Sequence, residues 1–211
     1  MFHQPETVDF YFSYRSPYSY LAAPRVFRLP ERFRVAVRWR GVLPMVERGE
    51  TLSQAKSLHI LRDCRREAKR LRMRFGPMRD PLGAGVHRCL AITERAQQLG
   101  LEVAPLVLRL SRAIWAEAAD VCKDDVLESL VRSAGLSWSQ LRGALADESL
   151  TKVFEDNRVA LAEAGHWGVP TLVYRTEPFW GQDRIDDLEL SLGASGLLSP
   201  RGHLATRTRR L

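Results

Sequence analysis

A serine and a proline stand where the first helix of the chain is predicted to begin, and together they could stabilise a bound anion. Ser16 is of a type preferred at the N-cap of a helix, and Pro17 suits the first helical position because the amide there has no intrahelical partner. The unpaired amides and the dipole at a helix N-terminus favour negative charge. The Ser16 hydroxyl would add a hydrogen-bond donor to that field, although a role limited to capping would also explain this residue.

A second polar segment, Gln182 and Asp183, follows Trp180 and Gly181 at the predicted start of the last helix. Free amides at a helix start can bind a carboxylate, and the Asp183 carboxylate can pair with an ammonium group. The segment therefore suits both ends of an amino acid, with simple helix capping by Asp183 as the alternative. Trp180 is expected to be a buried anchor of the core rather than a ligand contact.

Two further residues could contribute to a binding site. Pro170 lies near the start of a predicted strand, where a cis peptide bond would hold a tight approach of the backbone. A trans proline at the start of an edge strand is the alternative. Lys56 lies on a predicted helix and could pair with a carboxylate of a ligand, although a single lysine on a helix is usually solvated.

The three cysteines, Cys64, Cys89 and Cys122, are widely spaced and form no Cys-x-x-Cys pair. We therefore expect neither a disulfide framework nor a metal site. The thiols are predicted to be partly buried and to pack as small apolar residues.

The composition is typical of a globular protein. The 211 residues, 45% of them hydrophobic, can bury a sizeable core in one domain or in two interleaved ones. No apolar run approaches the roughly 20 residues needed to cross a bilayer. The N-terminus also lacks the basic and apolar regions of a secretory signal. We therefore expect a cytoplasmic protein that does not bind membranes.

The net charge of +7 comes from 32 basic and 25 acidic residues, and much of the excess lies in residues 62–74 and 201–210. A solvated helix face would explain the first stretch, whereas a field that attracts an anionic small molecule is the sharper interpretation. No aromatic residues interleave with these charges as they do in nucleic-acid-binding modules, so no nucleic-acid partner is expected.

The apolar pattern predicts strands near both ends of the chain. Residues 8–12 are a predicted strand, a helix begins at Pro17, and residues 35–39 form a second strand. A crossover of this kind is normally right-handed and joins parallel strands. Pro24 could kink or end the helix. Later in the chain, residues 168–174 and 179–180 are predicted strands on either side of a turn at 175–178, and a final helix follows.

The pattern between these strands is helical from about residue 52 to residue 164. Asp125 with Glu128, and Ser137 with Gln140, have the spacing of capping boxes, and Gly165 is placed to end the last long helix in a left-handed conformation. The simplest architecture is one sheet built from both ends of the chain, with a helical insertion between them.

Two of these segments together resemble motifs of the 2-hydroxychromene-2-carboxylate isomerase family, whose members are DsbA-like and close to kappa-class glutathione transferases. The first motif is Tyr-Phe-Ser-Tyr-Arg-Ser-Pro-Tyr-Ser-Tyr-Leu-Ala at 11–22, and the second joins Gly-Val-Pro-Thr at 168–171 to Phe-Trp-Gly-Gln-Asp-Arg at 179–184. A third, weaker motif contains Lys56, Asp63 and Arg66. The resemblance covers nearly the whole chain.

The resemblance implies an α/β protein with a thioredoxin-like fold and a helical insertion domain, which is the DsbA-like architecture. We accordingly expect a discontinuous thioredoxin-like domain in residues 1–48 and 165–200, a helical insertion in 49–164 and a basic C-terminal tail in 201–211. Related proteins are commonly dimers, so a homodimer is expected.

The resemblance also implies that glutathione is the cofactor and that Ser16 is the catalytic residue. Ser16 stands where redox relatives have the first cysteine of Cys-x-x-Cys, and its hydroxyl would donate a hydrogen bond to the glutathione thiolate. The segment Ser16-Pro17-Tyr18-Ser19 contains no sulfur. Dithiol–disulfide exchange through this segment is therefore excluded.

The remaining cofactor contacts follow from the same resemblance. A cis Pro170 would let the Val169 backbone form strand-like hydrogen bonds with the cysteinyl part of glutathione. Gln182 and Asp183 would bind the γ-glutamyl group, and Lys56 would pair with a carboxylate of glutathione or of the substrate.

The implied activity is glutathione-dependent cis–trans isomerisation of an aromatic unsaturated carboxylate. Two alternatives stay open, a kappa-class-like glutathione transferase that releases the conjugate and a DsbA-like module that binds a thiol compound without catalysis. Residues 75–87 depart from the family pattern in a region expected to border the substrate pocket, and this departure is the main support for the non-catalytic alternative.

Overall fold

The computed structural model describes residues 5–200. The strands are β1 (Glu6–Phe12), β2 (Val35–Gly41), β3 (Thr171–Tyr174) and β4 (Glu177–Trp180). The α-helices are α1 (Pro17–Phe27), α2 (Leu29–Arg32), α3 (Gln54–Arg70), α4 (Ala84–Gln98), α5 (Ala104–Glu117), α6 (Asp124–Ser133), α7 (Trp138–Leu141), α8 (Leu150–Glu163) and α9 (Ile185–Ala194). Short 3₁₀ helices occupy Met45–Arg48, Arg142–Ala146 and Gln182–Arg184.

The four strands form one mixed sheet in the order β2-β1-β3-β4. β1 and β2 are parallel, as predicted from the crossover, whereas β3 runs antiparallel to β1 and β4 antiparallel to β3. The register pairs Tyr11 with Thr171 and Thr171 with Trp180. The end of β1, the start of β3 and the end of β4 therefore lie side by side, at the end of the sheet where these strands begin or finish. We call this end of the sheet the motif edge.

The two faces of the sheet are covered by different helices. Phe10 and Phe12 point to one face, where they stack at 5.6 Å between ring centroids and meet the edge of Trp39, within the main core that includes α1 and α9. Tyr11 points to the other face and packs with Leu161 of α8. This alternation follows the period of two along a strand. Each large apolar side chain that is fully buried stabilises the fold by about 1.5–3 kcal/mol.

The predicted helices and strands are present, but some of them begin or end at other residues than predicted. α1 continues through Pro24 to Phe27 because the residues around the proline, such as Leu21 and Val26, are fully buried in the core and hold the helical path. Gly165 has a φ of +89°, which confirms the left-handed end of α8. The turn between β3 and β4 contains only two residues, Arg175 and Thr176, and is therefore shorter than predicted.

Both predicted capping boxes are wrong. α6 begins at Asp124, so Asp125 lies within the first turn, where its charge is favourable to the helix dipole instead of capping it. Ser137 does occupy the N-cap of α7, but its hydroxyl bonds the Ser139 hydroxyl at 2.9 Å and no backbone amide.

The predicted division into two domains stays a prediction, and the basic tail at 201–211 lies outside the described residues. Within residues 5–200, no helix combines the length and the apolar character that crossing a membrane requires.

Candidate functional site

Ser16 caps α1 and touches the second motif. Its Oγ accepts a hydrogen bond from the Ser19 N–H at 3.1 Å, which confirms the predicted capping role. The same hydroxyl donates to the carbonyl oxygen of Val169 at 3.4 Å, although the two residues are separated by 153 positions in sequence. Within residues 5–200, the Tyr18 N–H in the first turn of α1 has no hydrogen-bond partner. The hydroxyl and this amide leave the helix start able to stabilise an anion.

The Val169–Pro170 peptide bond is cis, as the family resemblance implies. The Pro170 carbonyl accepts a hydrogen bond from the Gly181 N–H at 2.9 Å, which ties the start of β3 to the residues after β4. In the described part of the chain the Val169 N–H makes no hydrogen bond. The motif edge therefore offers a backbone donor directly beside the Ser16 hydroxyl.

Gln182 and Asp183 lie in the 3₁₀ turn that leads into α9, but their side chains differ in exposure. Gln182 is 7% exposed, and its Nε2 donates to Glu67 of α3 at 3.2 Å. The Asp183 side chain is 61% exposed and pairs with Arg184 at 3.1 Å. The Asp183 carboxylate is thus accessible to a ligand, whereas the Gln182 amide is already held by the helical block.

Lys56 lies in the first turn of α3 and is exposed. Among residues 5–200, its ammonium group forms no hydrogen bond or ion pair, so the structure does not join Lys56 to Ser16, Val169 or Asp183. A contact between Lys56 and glutathione stays a prediction.

The link between α1 and α3 was not anticipated from the sequence. The Tyr18 hydroxyl donates to Asp63 at 2.7 Å, and burial raises the pKa of Tyr18 far above its usual value. Next to Asp63, burial raises the pKa of the Cys64 thiol to about 12, so this cysteine stays protonated and unreactive. Asp63 was noted only as part of the third motif, and no local pattern indicates its partner.

The loop between β1 and α1 is held by the helical block. The Trp115 indole N–H donates to the Tyr14 carbonyl at 2.9 Å, and the buried Tyr14 hydroxyl bonds Thr93 at 2.6 Å. Arg15 forms a bidentate ion pair with Asp80, in which Nε donates to Oδ1 and Nη2 donates to Oδ2, each at 2.9 Å. Asp80 belongs to the stretch that departs from the family pattern, which therefore contacts the residue before Ser16.

Trp180 is 52% exposed, so the expectation that it anchors the core is wrong. Trp180 is the last residue of the edge strand β4, and its ring packs on His166 at 4.5 Å instead of entering the core. Trp167, just before the cis-proline turn, is 51% exposed.

None of the three cysteines belongs to residues 13–19, which carry Ser16, although Cys64 lies beside Tyr18. Cys64 and Cys89 are buried, whereas Cys122 is exposed, so the prediction of three partly buried thiols is wrong for Cys122. All three are free thiols. A groove of about 950 Å³ lies near the C-terminal end of α1, lined by Arg25, Arg32 and residues of α9. Since α1 is roughly 15 Å long, this groove is separate from the site at its N-terminus.

Comparisons with known proteins place this geometry in context. The family model of the DSBA-like thioredoxin domain matches residues 7–193. A 2-hydroxychromene-2-carboxylate isomerase of Pseudomonas putida is 27% identical over 195 residues, covering 88% of this chain and 94% of that protein. The enzyme of the same name from Sphingobium xenophagum is 24% identical over 196 residues, covering 87% of this chain and 96% of that protein.

Solved structures show the same fold. A 2-hydroxychromene-2-carboxylate isomerase structure superposes with a TM-score of 0.72 at 22% identity, covering 89% of this chain and 95% of that one. The cytosolic disulfide reductase DsbM from Pseudomonas aeruginosa superposes with a TM-score of 0.66 at 20% identity, covering 89% of this chain and 99% of that one. These similarities confirm the predicted α/β, DsbA-like thioredoxin fold.

Proposed function

Because the chain belongs to the DSBA-like thioredoxin domain family and is similar along most of its length to 2-hydroxychromene-2-carboxylate isomerases, we propose that it is a glutathione-dependent cis–trans isomerase. Its substrate in this proposal is an aromatic unsaturated carboxylate. The observation that carries the proposal is the contact between the Ser16 hydroxyl and the Val169 carbonyl at the motif edge.

The residues at the motif edge fit glutathione. An extended peptide ligand needs strand-type hydrogen bonds, and the Val169 N–H has no partner within residues 5–200. A thiolate needs a donor and a favourable field, and Ser16 provides the hydroxyl at the start of α1. The exposed Asp183 carboxylate can accept the ammonium of the γ-glutamyl group, and the solvated Lys56 can pair with a carboxylate.

When bound, glutathione supplies a thiolate that can add reversibly to an unsaturated carbon conjugated with a carbonyl, which permits rotation about that bond before the thiol leaves. The role of Ser16 is to donate its hydroxyl proton as a hydrogen bond to the sulfur in place of the Val169 carbonyl. A hydrogen bond to a charged group contributes about 1.5–3 kcal/mol. No sulfur of the chain itself is available at this position, since Ser16 and Ser19 stand where the two cysteines of a redox motif would be.

The experiment is an isomerisation assay of the full chain with 2-hydroxychromene-2-carboxylate, followed by the change in ultraviolet absorbance. With glutathione at catalytic concentration, we expect the substrate to reach its equilibrium with the product, with no loss of the free thiol. Stoichiometric loss of glutathione would instead indicate a transferase, and binding without turnover would indicate the non-catalytic module. Conversion at full rate without glutathione would refute the proposal.

Two variants test the role of Ser16. Ser16→Ala should lower kcat by about tenfold to a hundredfold, which corresponds to the loss of one hydrogen bond to a charged group. Ser137→Ala removes a hydroxyl at the start of α7, far from the motif edge, and should leave kcat unchanged. A cytoplasmic location, expected from the sequence, and a homodimer, expected from the resemblance, stay predictions.

A further inference from the structure

Two acidic residues, Asp63 and Glu67, interrupt the basic stretch at 62–74, and both turn away from solvent. The seven arginines and lysines of the stretch are all exposed. Asp63 and Glu67 are only partly exposed, and Cys64 and Ala68 beside them in α3 are buried. Because they are four positions apart, the two carboxylates lie on one face of α3, about 6 Å apart along its axis. A carboxylate that turns inward needs polar partners.

Each carboxylate holds a different part of the candidate site. The Tyr18 hydroxyl, in the first turn of α1, donates to Asp63 at 2.7 Å. The Gln182 amide, in the 3₁₀ turn before α9, donates to Glu67 at 3.2 Å. α1 packs against both α3 and this turn. The inward face of α3 therefore joins the helix start at the thiol end of the site to the turn at the other end.

The contact between Glu67 and Gln182 fixes the turn. The Gln182 side chain is buried, and among residues 5–200 it makes no other hydrogen bond. The Glu67 side chain is 17% exposed, and its second oxygen pairs with Arg70 of the same helix. Leaving a buried amide without its partner is costly, so the turn keeps the conformation in which Gln182 faces Glu67.

The position of Asp183 depends on this turn. In the described part of the chain, the only polar partner of the Asp183 carboxylate is the next residue, Arg184, at 3.1 Å. The turn has two polar anchors to the rest of the protein, the hydrogen bond from the Gly181 N–H to the Pro170 carbonyl at 2.9 Å and the contact with Glu67. Loss of the second anchor would let the turn carry Asp183 away from the motif edge.

We infer that Glu67 is a positioning residue for the γ-glutamyl end of glutathione, acting through the Gln182 amide on the turn that presents Asp183. This inference rests on the proposed function for the identity of the ligand. It assigns the preference for glutathione over thiols that lack the γ-glutamyl group to a carboxylate of α3 that does not itself contact the ligand.

The binding of two thiols measures this preference without any turnover. Calorimetry of the full chain gives the Kd of glutathione and the Kd of N-acetylcysteinylglycine, which keeps the thiol and the peptide amide but lacks the amino and carboxyl groups of the γ-glutamyl residue. Glu67→Ala should weaken the Kd of glutathione about tenfold, as expected for one hydrogen bond, and leave the other Kd unchanged. Glu67→Gln keeps an oxygen that can accept from the Gln182 amide and should retain most of the preference.

Glu155→Ala is the matched control. Glu155 pairs with Arg158 three positions later, as Glu67 pairs with Arg70, but it lies on α8 and should leave both Kd values unchanged. Gln182→Ala removes the proposed contact from its other side and should reproduce the effect of Glu67→Ala. The double variant should bind glutathione no more weakly than either single variant, because both remove the same contact.

A role limited to stabilising the fold predicts a different result. In that case Glu67→Ala would lower Tm and either weaken the two thiols equally or change neither Kd, and this would overturn the inference even if the isomerase assay succeeds. A selective loss of glutathione affinity in a chain without isomerase activity would support the inference and refute only the proposed function. If Glu67→Ala does not fold, Gln182→Ala decides, and an unchanged preference in that variant would overturn the inference.

Discussion

Removing the Ser16 hydroxyl should raise the pKa of the thiol of bound glutathione by about 1–2 units. The expectation follows from the position of this hydroxyl at the start of α1, where it donates to the Val169 carbonyl and can turn to a bound sulfur. A hydrogen bond to a charged group contributes about 1.5–3 kcal/mol, and one pKa unit corresponds to 1.36 kcal/mol. The amides and dipole of α1 remain in the variant, so the thiol should still ionise more readily than in water.

A loss of helix stability must be separated from this effect, because Ser16 also caps α1 through the Ser19 N–H at 3.1 Å. Replacing a serine cap by alanine costs about 1 kcal/mol, whereas replacing it by glycine costs only a few tenths. Ser16→Ala should therefore lower Tm and raise the thiol pKa, and Ser16→Gly should raise the thiol pKa with little change in Tm.

The assay is a pH titration of thiolate absorbance at about 240 nm for glutathione in complex with each variant, with S-methylglutathione as the blank that cannot ionise. The Ser137→Ala chain serves as the control with an intact site. An unchanged thiol pKa in both Ser16→Ala and Ser16→Gly would refute the electrostatic role of Ser16. A rise in Ser16→Ala alone would assign the effect to disruption of the helix start.

Further predictions concern the turn at Gly181, the three cysteine thiols and the stability of the fold at acidic pH. Gly181 has a φ of +112°, and a Cβ added there would lie 2.4 Å from the Asp183 carboxylate. Gly181→Ala should therefore destabilise the fold by about 1–3 kcal/mol, measured by thermal unfolding, and weaken glutathione binding, measured by calorimetry. Gly143→Ala, with open space around it, is the control. A thiol reagent should label only the exposed Cys122 in the native chain and all three cysteines after denaturation; labelling of more than one native thiol would contradict the burial. Although burial of Asp9 acts to raise its pKa, hydrogen bonds from two arginines of β2 lower it below the usual 3.8, so its contribution to the free energy of unfolding is present above that pH and is lost as the pH falls through the lowered value. Urea titrations should show Asp9→Asn less stable than the natural chain at neutral pH, with the difference shrinking below pH 3.8; a constant difference would contradict this.

The fold was largely predictable because its main elements are locally encoded. The β-branched and aromatic residues of β1, the serine–proline start of α1 and the left-handed Gly165 are each specified within a few residues, and the structure confirms them. The motifs at the two ends of the chain were predicted to contribute to one glutathione site. The structure brings the Ser16 hydroxyl to 3.4 Å from the Val169 carbonyl, while glutathione binding there stays a prediction.

What the sequence did not predict are contacts between distant side chains. Tyr18 with Asp63 and Arg15 with Asp80 join residues 45 and 65 positions apart, and no local pattern indicates such partners. The exposure of Trp180 was missed because a tryptophan in a strand is usually buried, and only the order of the strands shows that β4 lies at the edge of the sheet.

The strand order also governs when the site can form during synthesis. β1 and β2 emerge early and can pair with each other, but the inner position beside β1 is filled only by β3, more than 150 residues later. Until then a growing chain presents an unpaired β-strand rich in aromatic residues, which is prone to association with other chains. Ribosome-bound chains that stop before Thr171 should therefore require chaperones, and the ability to bind a thiol should arise only in the last stage of translation.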